Sequence, residues 1–188
     1  MKTSLGHIAA IQTGIFAKPI AEGEIVYLQA KHFDNAGQLN SILHPDLTKG
    51  SITEKHLLRD GDVLFAAKGT KNFAALYESE SLPAVASTSF FVIRIQRNFY
   101  HKILPEFLVW LINHPNSQKF LKGKAIGTSI VSISKAVLEE LEISIPDLQT
   151  QKAILKIAQL RNTEIELKKQ IETLREKQIQ QQIINAII

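Results

Sequence analysis

The chain has 188 residues, 45% of them hydrophobic, and a formal net charge of +4. That composition can bury a core in one domain with an appendage, or in two small domains, and it lacks the dense charge of a histone-like binder. No run of 18 apolar residues is present to span a membrane, and Met1–His7 lack the apolar stretch of a signal peptide. The absence of cysteine excludes disulfides and thiolate metal sites and fits a reducing cytoplasm.

The first clear strand is Glu24–Leu28. Asp60-Gly61-Asp62 form a turn into a second, Val63–Ala67. Ser89–Ile95 is the strongest strand signal, being aromatic and β-branched. Pro105 opens a helix running to about His114, which buries Phe107, Leu108, Leu111 and Ile112. A short helix follows from about Asn116 to Lys122, with Gly123 placed to close it, and Ser134 caps a third through Glu140. Leu141–Ile145 alternates as a half-buried strand does. The pattern predicts an α+β domain over 1–146 with a mixed, curved sheet and short helices.

Residues 147–188 contain no Gly, Pro or aromatic residue and predict one long helix, with Asp147 at its N-cap. Ile157, Leu160, Leu167, Ile171 and Leu174 follow a spacing of three and four, with Glu164 in one seam position. After Leu174 the stripe moves to Ile179, Ile183 and Ile187, a shift of register. Such a stripe calls for a partner helix, so these residues are assigned to a coiled coil and to dimerisation.

The sequence offers no catalytic cluster. Gly123-Lys124-Ala125 lacks the rest of a phosphate-binding loop, and no methyl-donor glycine motif or serine elbow is present. The six histidines, His7, His32, His44, His56, His101 and His114, lack metal-ligand spacing. Asp147 and Glu166-Leu167-Lys168 imitate a metal-nuclease pattern. Both fall on the long helix, roughly 28 Å apart, too far to share an ion. The expectation is a protein that is not itself an enzyme and needs no cofactor.

Several segments together resemble the target-recognition domain of type I restriction-modification specificity subunits. They begin with Leu5–Gly14, Gly61–Gly69, Ala86–Arg94 and the helix Phe107–Leu111. They close with Gly127–Ser134, Leu141–Pro146 and Gln151–Ile154, leading into the long helix. Each piece is weak alone; the specificity lies in their order and spacing. The resemblance implies sequence-specific binding of double-stranded DNA, with each recognition domain reading one half of a split target. It also implies assembly with methyltransferase (modification) and restriction subunits. Members of the family carry two recognition domains and two spacer helices, whereas this chain has one of each. The chain is therefore expected to be either a half-length form, paired through its helix as a homodimer or with another specificity half, or part of a longer gene product. The competing reading is a dimerisation module that docks a protein and makes no DNA contact.

Base reading needs donors and acceptors at the groove, and phosphate contacts need cations or backbone N–H groups. Lys68, Gly69, Thr70, Lys71 and Asn72, after the Val63–Ala67 strand, form the leading candidate loop. Lys31 and His32 form a second polar segment, and Thr13, Gly14 and Lys18 a third. Arg97, Lys102, Lys119, Lys122 and Lys124 are candidate phosphate contacts. Ser87 and Thr88 read as strand hydroxyls. Phe16, Phe33 and Phe73 lie near the polar loops and are read first as core, with stacking on a base as the alternative.

Overall fold

A computed structural model describes residues 1–34, 37–39, 42–69, 72–78, 82–126 and 132–187. The chain divides into two compact units, Met1–Leu148 and Gln149–Ile188.

The first unit is built on a four-stranded antiparallel sheet. Its strands are β2 (Ala9–Thr13), β4 (Val63–Ala66), β5 (Ala74–Leu76) and β7 (Phe90–Ile95), in the order β2-β7-β4-β5. β4 is buried at every position. Its apolar run therefore does not alternate, as expected of a strand covered on both faces. Leu64 and Ala66 point into a cluster with Phe90, Val92, Ala75 and Phe73. Phe65 and Ile93 are buried as well.

That cluster is shared with a parallel pair, β3 (Val26–Leu28) and β6 (Ala84–Ala86). The strand expected from Glu24 starts later. Glu24 and Ile25 instead donate their backbone N–H groups to Leu47 O, which draws this stretch out of the β3–β6 ladder. A second pair, β1 (Lys2–Ser4) with β8 (Glu142–Ser144), is antiparallel and joins the two ends of the unit. The fold is α+β as expected, with the parallel β3–β6 ladder outside the main sheet.

The helices are short. α1 (Leu5–Ile8) lies against α4 (Lys135–Glu139), which Ser134 caps by accepting the Val137 N–H at 3.3 Å. α2 (Pro105–Asn113) lies against β4 and β5. It buries Phe107, Leu108 and Ile112 but leaves Leu111 only half-buried, so the apolar face is narrower than the sequence predicts. In α3 (Pro115–Gly123), Gly123 is the last helical residue and Lys124 provides the cap. Asn113, at the end of α2, completes the sheet. Its Oδ1 accepts the Ala74 N–H at 2.7 Å and its Nδ2 donates to Ala74 O at 2.8 Å. The side chain pairs with edge strand β5 as a neighbouring strand would, closing a free edge.

α5 (Leu148–Ile187) is a continuous helix of 40 residues, about 60 Å long. Ile157, Leu160, Leu167, Ile171, Leu174, Ile179, Ile183 and Ile187 are all exposed, from 48% to 79%. Glu164, in the seam position, accepts from Arg161 at 2.9 Å and Lys168 at 2.6 Å. The hydrogen bond from Lys168, followed by that from Arg161, holds its carboxyl below the usual range. Among the described residues, no helix is long and apolar enough to cross a membrane.

Candidate nucleic-acid interface

The strand registers bring five chain segments to one edge. β2 and β4 both run antiparallel to β7, so Thr13 pairs with Phe91 and Ala66 with Phe90. The ends of β2 and β4 therefore meet the start of β7. β3 and β6 run parallel and finish together at Leu28 and Ala86. β6 then turns through Ser87–Ser89 into β7, with the Phe90 N–H on Ser87 O. Backbone hydrogen bonds lock these ends: Gly14 N to Phe90 O, Ile15 N to Ala86 O, Ser87 N to Leu28 O and Ala67 N to Ser89 O.

The polar loops leave from this edge. Thr13 is exposed at the end of β2 and Lys18 beyond it, Lys31 after β3 and Lys68 after β4. Gly69 has φ +129°, a conformation that L side chains rarely adopt, and nothing crowds its α-carbon. Thr70 and Lys71 lie outside the described residues. Asn72 faces inward. It is 8% exposed and donates to Ala66 O at 2.9 Å, so it holds the base of the loop instead of projecting from it.

Gly14 has a structural reason for its identity. A Cβ there would stand 2.1 Å from Ser87 O, so only glycine allows β2 to close on the turn. His32 is half-buried, and its Nδ1 accepts the Gln29 N–H at 3.3 Å. Burial, then Lys31, lower its pKa from 6.5, and Asp46 opposes them. The neutral ring is thus the form that caps this short turn. Ser87 is buried, and its hydroxyl has no hydrogen-bond partner among the described residues.

The helical cations divide. Ile126 pairs with Ser132, and Ser132 bridges Lys68, so the segment after α3 reaches the loop edge. Residues 127–131, in the stretch that carries the resemblance, lie outside the described residues. Lys119 and Lys122 are exposed on α3. Lys124 is engaged: it donates to Glu140 at 2.6 Å and sits 4.8 Å from the Phe120 ring centroid. Arg97 and Lys102 follow the far end of β7, and Lys102 lies 5.2 Å from the Phe99 ring centroid. The length of β7 places that end roughly 17 Å from the loop edge. The sequence candidates are therefore not one patch.

Of the three phenylalanines, Phe73 is core and Phe33 is half-buried against it. Phe33, Phe73 and Phe90 pack ring against ring at 5.6–6.2 Å behind the edge. Phe16 is 77% exposed.

An ion pair inside the sheet was not foreseen. Arg94 Nε donates to Asp62 Oδ1 at 2.7 Å, and a terminal guanidinium N–H donates to Oδ2 at 2.5 Å. Asp62 Oδ2 also accepts the Arg59 N–H at 2.8 Å, and Arg94 donates to Leu57 O at 3.1 Å. Asp62 is 2% exposed. The pair ties the start of β4 to the end of β7, opposite the loop edge. Among the described residues, no group of three or more His, Asp or Glu side chains is placed to hold a metal ion.

This geometry is that of a sheet presenting polar loops from one edge, in a chain that ends in a long helix. Residues 4–176 match the family described as "Type I restriction modification DNA specificity domain", and the chain belongs to that family. Over 182 residues it is 27% identical to the putative type I restriction enzyme MjaX specificity subunit of Methanocaldococcus jannaschii, covering 89% of this chain and 40% of the relative. Solved structures share the fold. The HsdS subunit of Thermoanaerobacter tengcongensis has a TM-score of 0.59 at 23% identity, over 93% of this chain and 46% of that one. The S subunit of the type I restriction-modification system of M. genitalium has a TM-score of 0.58 at 16% identity, over 88% and 40%. The chain thus spans less than half the length of these relatives.

Proposed function

We propose that residues 1–146 are a DNA target-recognition domain and that residues 147–188 are the spacer and dimerisation helix. The domain reads one half of a bipartite double-stranded target. The carrying observation is the convergence of loops bearing Lys18, Lys31 and Lys68 on one sheet edge, in a chain of the specificity family. Loops on a rigid scaffold are where binding residues gather, and exposed lysines supply phosphate contacts. The chain does no chemistry itself; it recruits modification and restriction subunits, which act at the site it selects.

The exposed stripe of α5 pairs with the same stripe of a second copy, or with another specificity half. Glu164, held between Arg161 and Lys168, sets a polar position in the seam and favours one register. A symmetric pair reads a palindromic split site, because a two-fold protein mirrors its target.

Methylome mapping in cells carrying the chain and its modification subunit tests the reading. It is expected to return a split motif whose two halves are inverted copies. In a gel shift with duplex DNA, Lys68→Ala is expected to lower the salt slope by about one. The absence of any salt-dependent shift for the unsubstituted chain refutes DNA reading and favours a protein-docking module.

A further inference from the structure

We propose that Phe16 is a specificity-determining residue whose ring packs on the C5-methyl group of a thymine in the major groove. This rests on the DNA-reading proposal above. Phe16 is the most exposed aromatic side chain among the described residues, while Phe33 and Phe73 are packed in the ring cluster behind it. Exposure of one ring alone carries little, since single apolar residues on surfaces are ordinary. The way this ring is held carries more.

Phe16 sits on a stretch fixed from both sides. Gly14 and Ile15 donate their backbone N–H groups to Phe90 O and Ala86 O. The hydroxyl of buried Tyr27 then clamps the two neighbours of Phe16. It donates to Ile15 O at 2.9 Å and accepts the Ala17 N–H at 3.3 Å. A buried tyrosine thus uses its hydroxyl as donor and acceptor to hold the backbone on either side of an exposed ring. A ring presented on fixed backbone meets a partner with little ordering cost.

The surroundings point to nucleic acid. Exposed Thr13 and Lys18 lie within three residues of the ring, and Lys31 and Lys68 leave the same edge. A phenyl ring has no donor or acceptor. The base-edge group it distinguishes in the major groove is therefore the thymine methyl.

The test uses the full chain. Duplexes are first selected from a random pool, and each thymine of the selected sequence is then replaced singly by deoxyuridine, which deletes only the methyl. For the unsubstituted chain, replacement at one thymine is expected to weaken binding about fourfold, the worth of one buried methyl group. Phe16→Ala is expected to bind the parent duplex about fourfold more weakly and to be indifferent to that replacement. Its thermal midpoint should match the parent, because the ring is mostly exposed. Equal sensitivity to deoxyuridine in both proteins, or no sensitive thymine, overturns the proposal while leaving DNA reading intact. Failure of the unsubstituted chain to enrich any duplex overturns DNA reading itself.

Discussion

Asp62→Ala removes the acceptor of three hydrogen bonds and leaves the Arg94 guanidinium with Leu57 O. Breaking one side of a buried pair costs about 3–5 kcal/mol, because the remaining charge stays desolvated. Asp62 is 2% exposed, but Arg94 keeps 20% of its side-chain surface and some contact with water. The lower end, about 3 kcal/mol, is therefore expected. With a urea slope of about 2 kcal/mol per molar, the unfolding midpoint falls by about 1.5 M. The single tryptophan, Trp110, stacks on Phe107 at 5.5 Å, so intrinsic fluorescence reports this unit and not α5. The double variant Asp62→Leu with Arg94→Met replaces both charges by apolar groups. It is expected to lose less than the sum of the two single variants by at least about 2 kcal/mol. All measurements use one protein concentration, since the proposed pairing through α5 would also shift apparent stability. Single variants within about 0.5 kcal/mol of the parent, or a double variant that is simply additive, refute the assignment of this pair as a tie between β4 and β7.

Other consequences follow from the same geometry. Asn113→Ala leaves the N–H and C=O of fully buried Ala74 without partners and is expected to cost about 2 kcal/mol in urea unfolding. Gly14→Ala drives a Cβ against Ser87 O and is expected to destabilise the unit by at least about 1–3 kcal/mol, read by Trp110 fluorescence. Because the folded pKa of His32 lies below 6.5, the unfolded chain binds its proton more readily. Stability is full above pH 6.5 and falls as pH drops towards the folded pKa. His32→Gln is expected to lose this component, so the parent–variant difference in urea midpoint should narrow from pH 7 to pH 5.5; a constant difference opposes it. Leu167→Lys with Ile171→Lys puts charge into the exposed stripe and is expected to convert dimer to monomer in sedimentation velocity at micromolar concentration.

How much of this was legible depended on what each residue reveals locally. β4 and β7 announce themselves, because Val63-Leu64-Phe65 and Phe90–Ile95 are aromatic and branched. The strands of alanine do not. β5 (Ala74-Ala75-Leu76) and β6 (Ala84-Val85-Ala86) have little intrinsic preference, and they are strands because of what they pack against. The tie between Asp62 and Arg94 spans 32 residues, and that between Asn113 and Ala74 spans 39. No period or spacing rule reaches so far. At the candidate edge, the glycines and lysines were visible, but their grouping was not. Lys68 and Arg97 look alike in sequence, and the register of β7 sends them to opposite ends. Phe16, Phe33 and Phe73 stand in similar polar contexts; only packing distinguishes the exposed ring from buried Phe73 and half-buried Phe33.

The placement of the loop edge follows from connectivity. A parallel pair must finish both strands at the same end, so β3 and β6 deliver Leu28 and Ala86 together. The Ser87–Ser89 turn is too short to carry the chain elsewhere, so β7 starts where β6 stops. The antiparallel partners of β7 then have to end at that point. Once the turn is fixed, four strand ends meet, and exposed Thr13, Lys31 and Lys68 lie at or just beyond them, where the loops leave. Their sequences can vary without disturbing Leu64, Phe65, Val92 or Ile93, which lie deeper along the strands. The Asp62–Arg94 tie lies at the other end of the same two strands, where variation in the loops does not reach it. If the loop edge reads DNA as proposed, this fold separates the reading loops from the contacts that keep it folded. Gly14, His32 and Asn72 belong to both groups: each is a loop candidate in sequence, yet Gly14 is fixed by its closeness to Ser87 O, His32 Nδ1 accepts the Gln29 N–H, and Asn72 donates to Ala66 O.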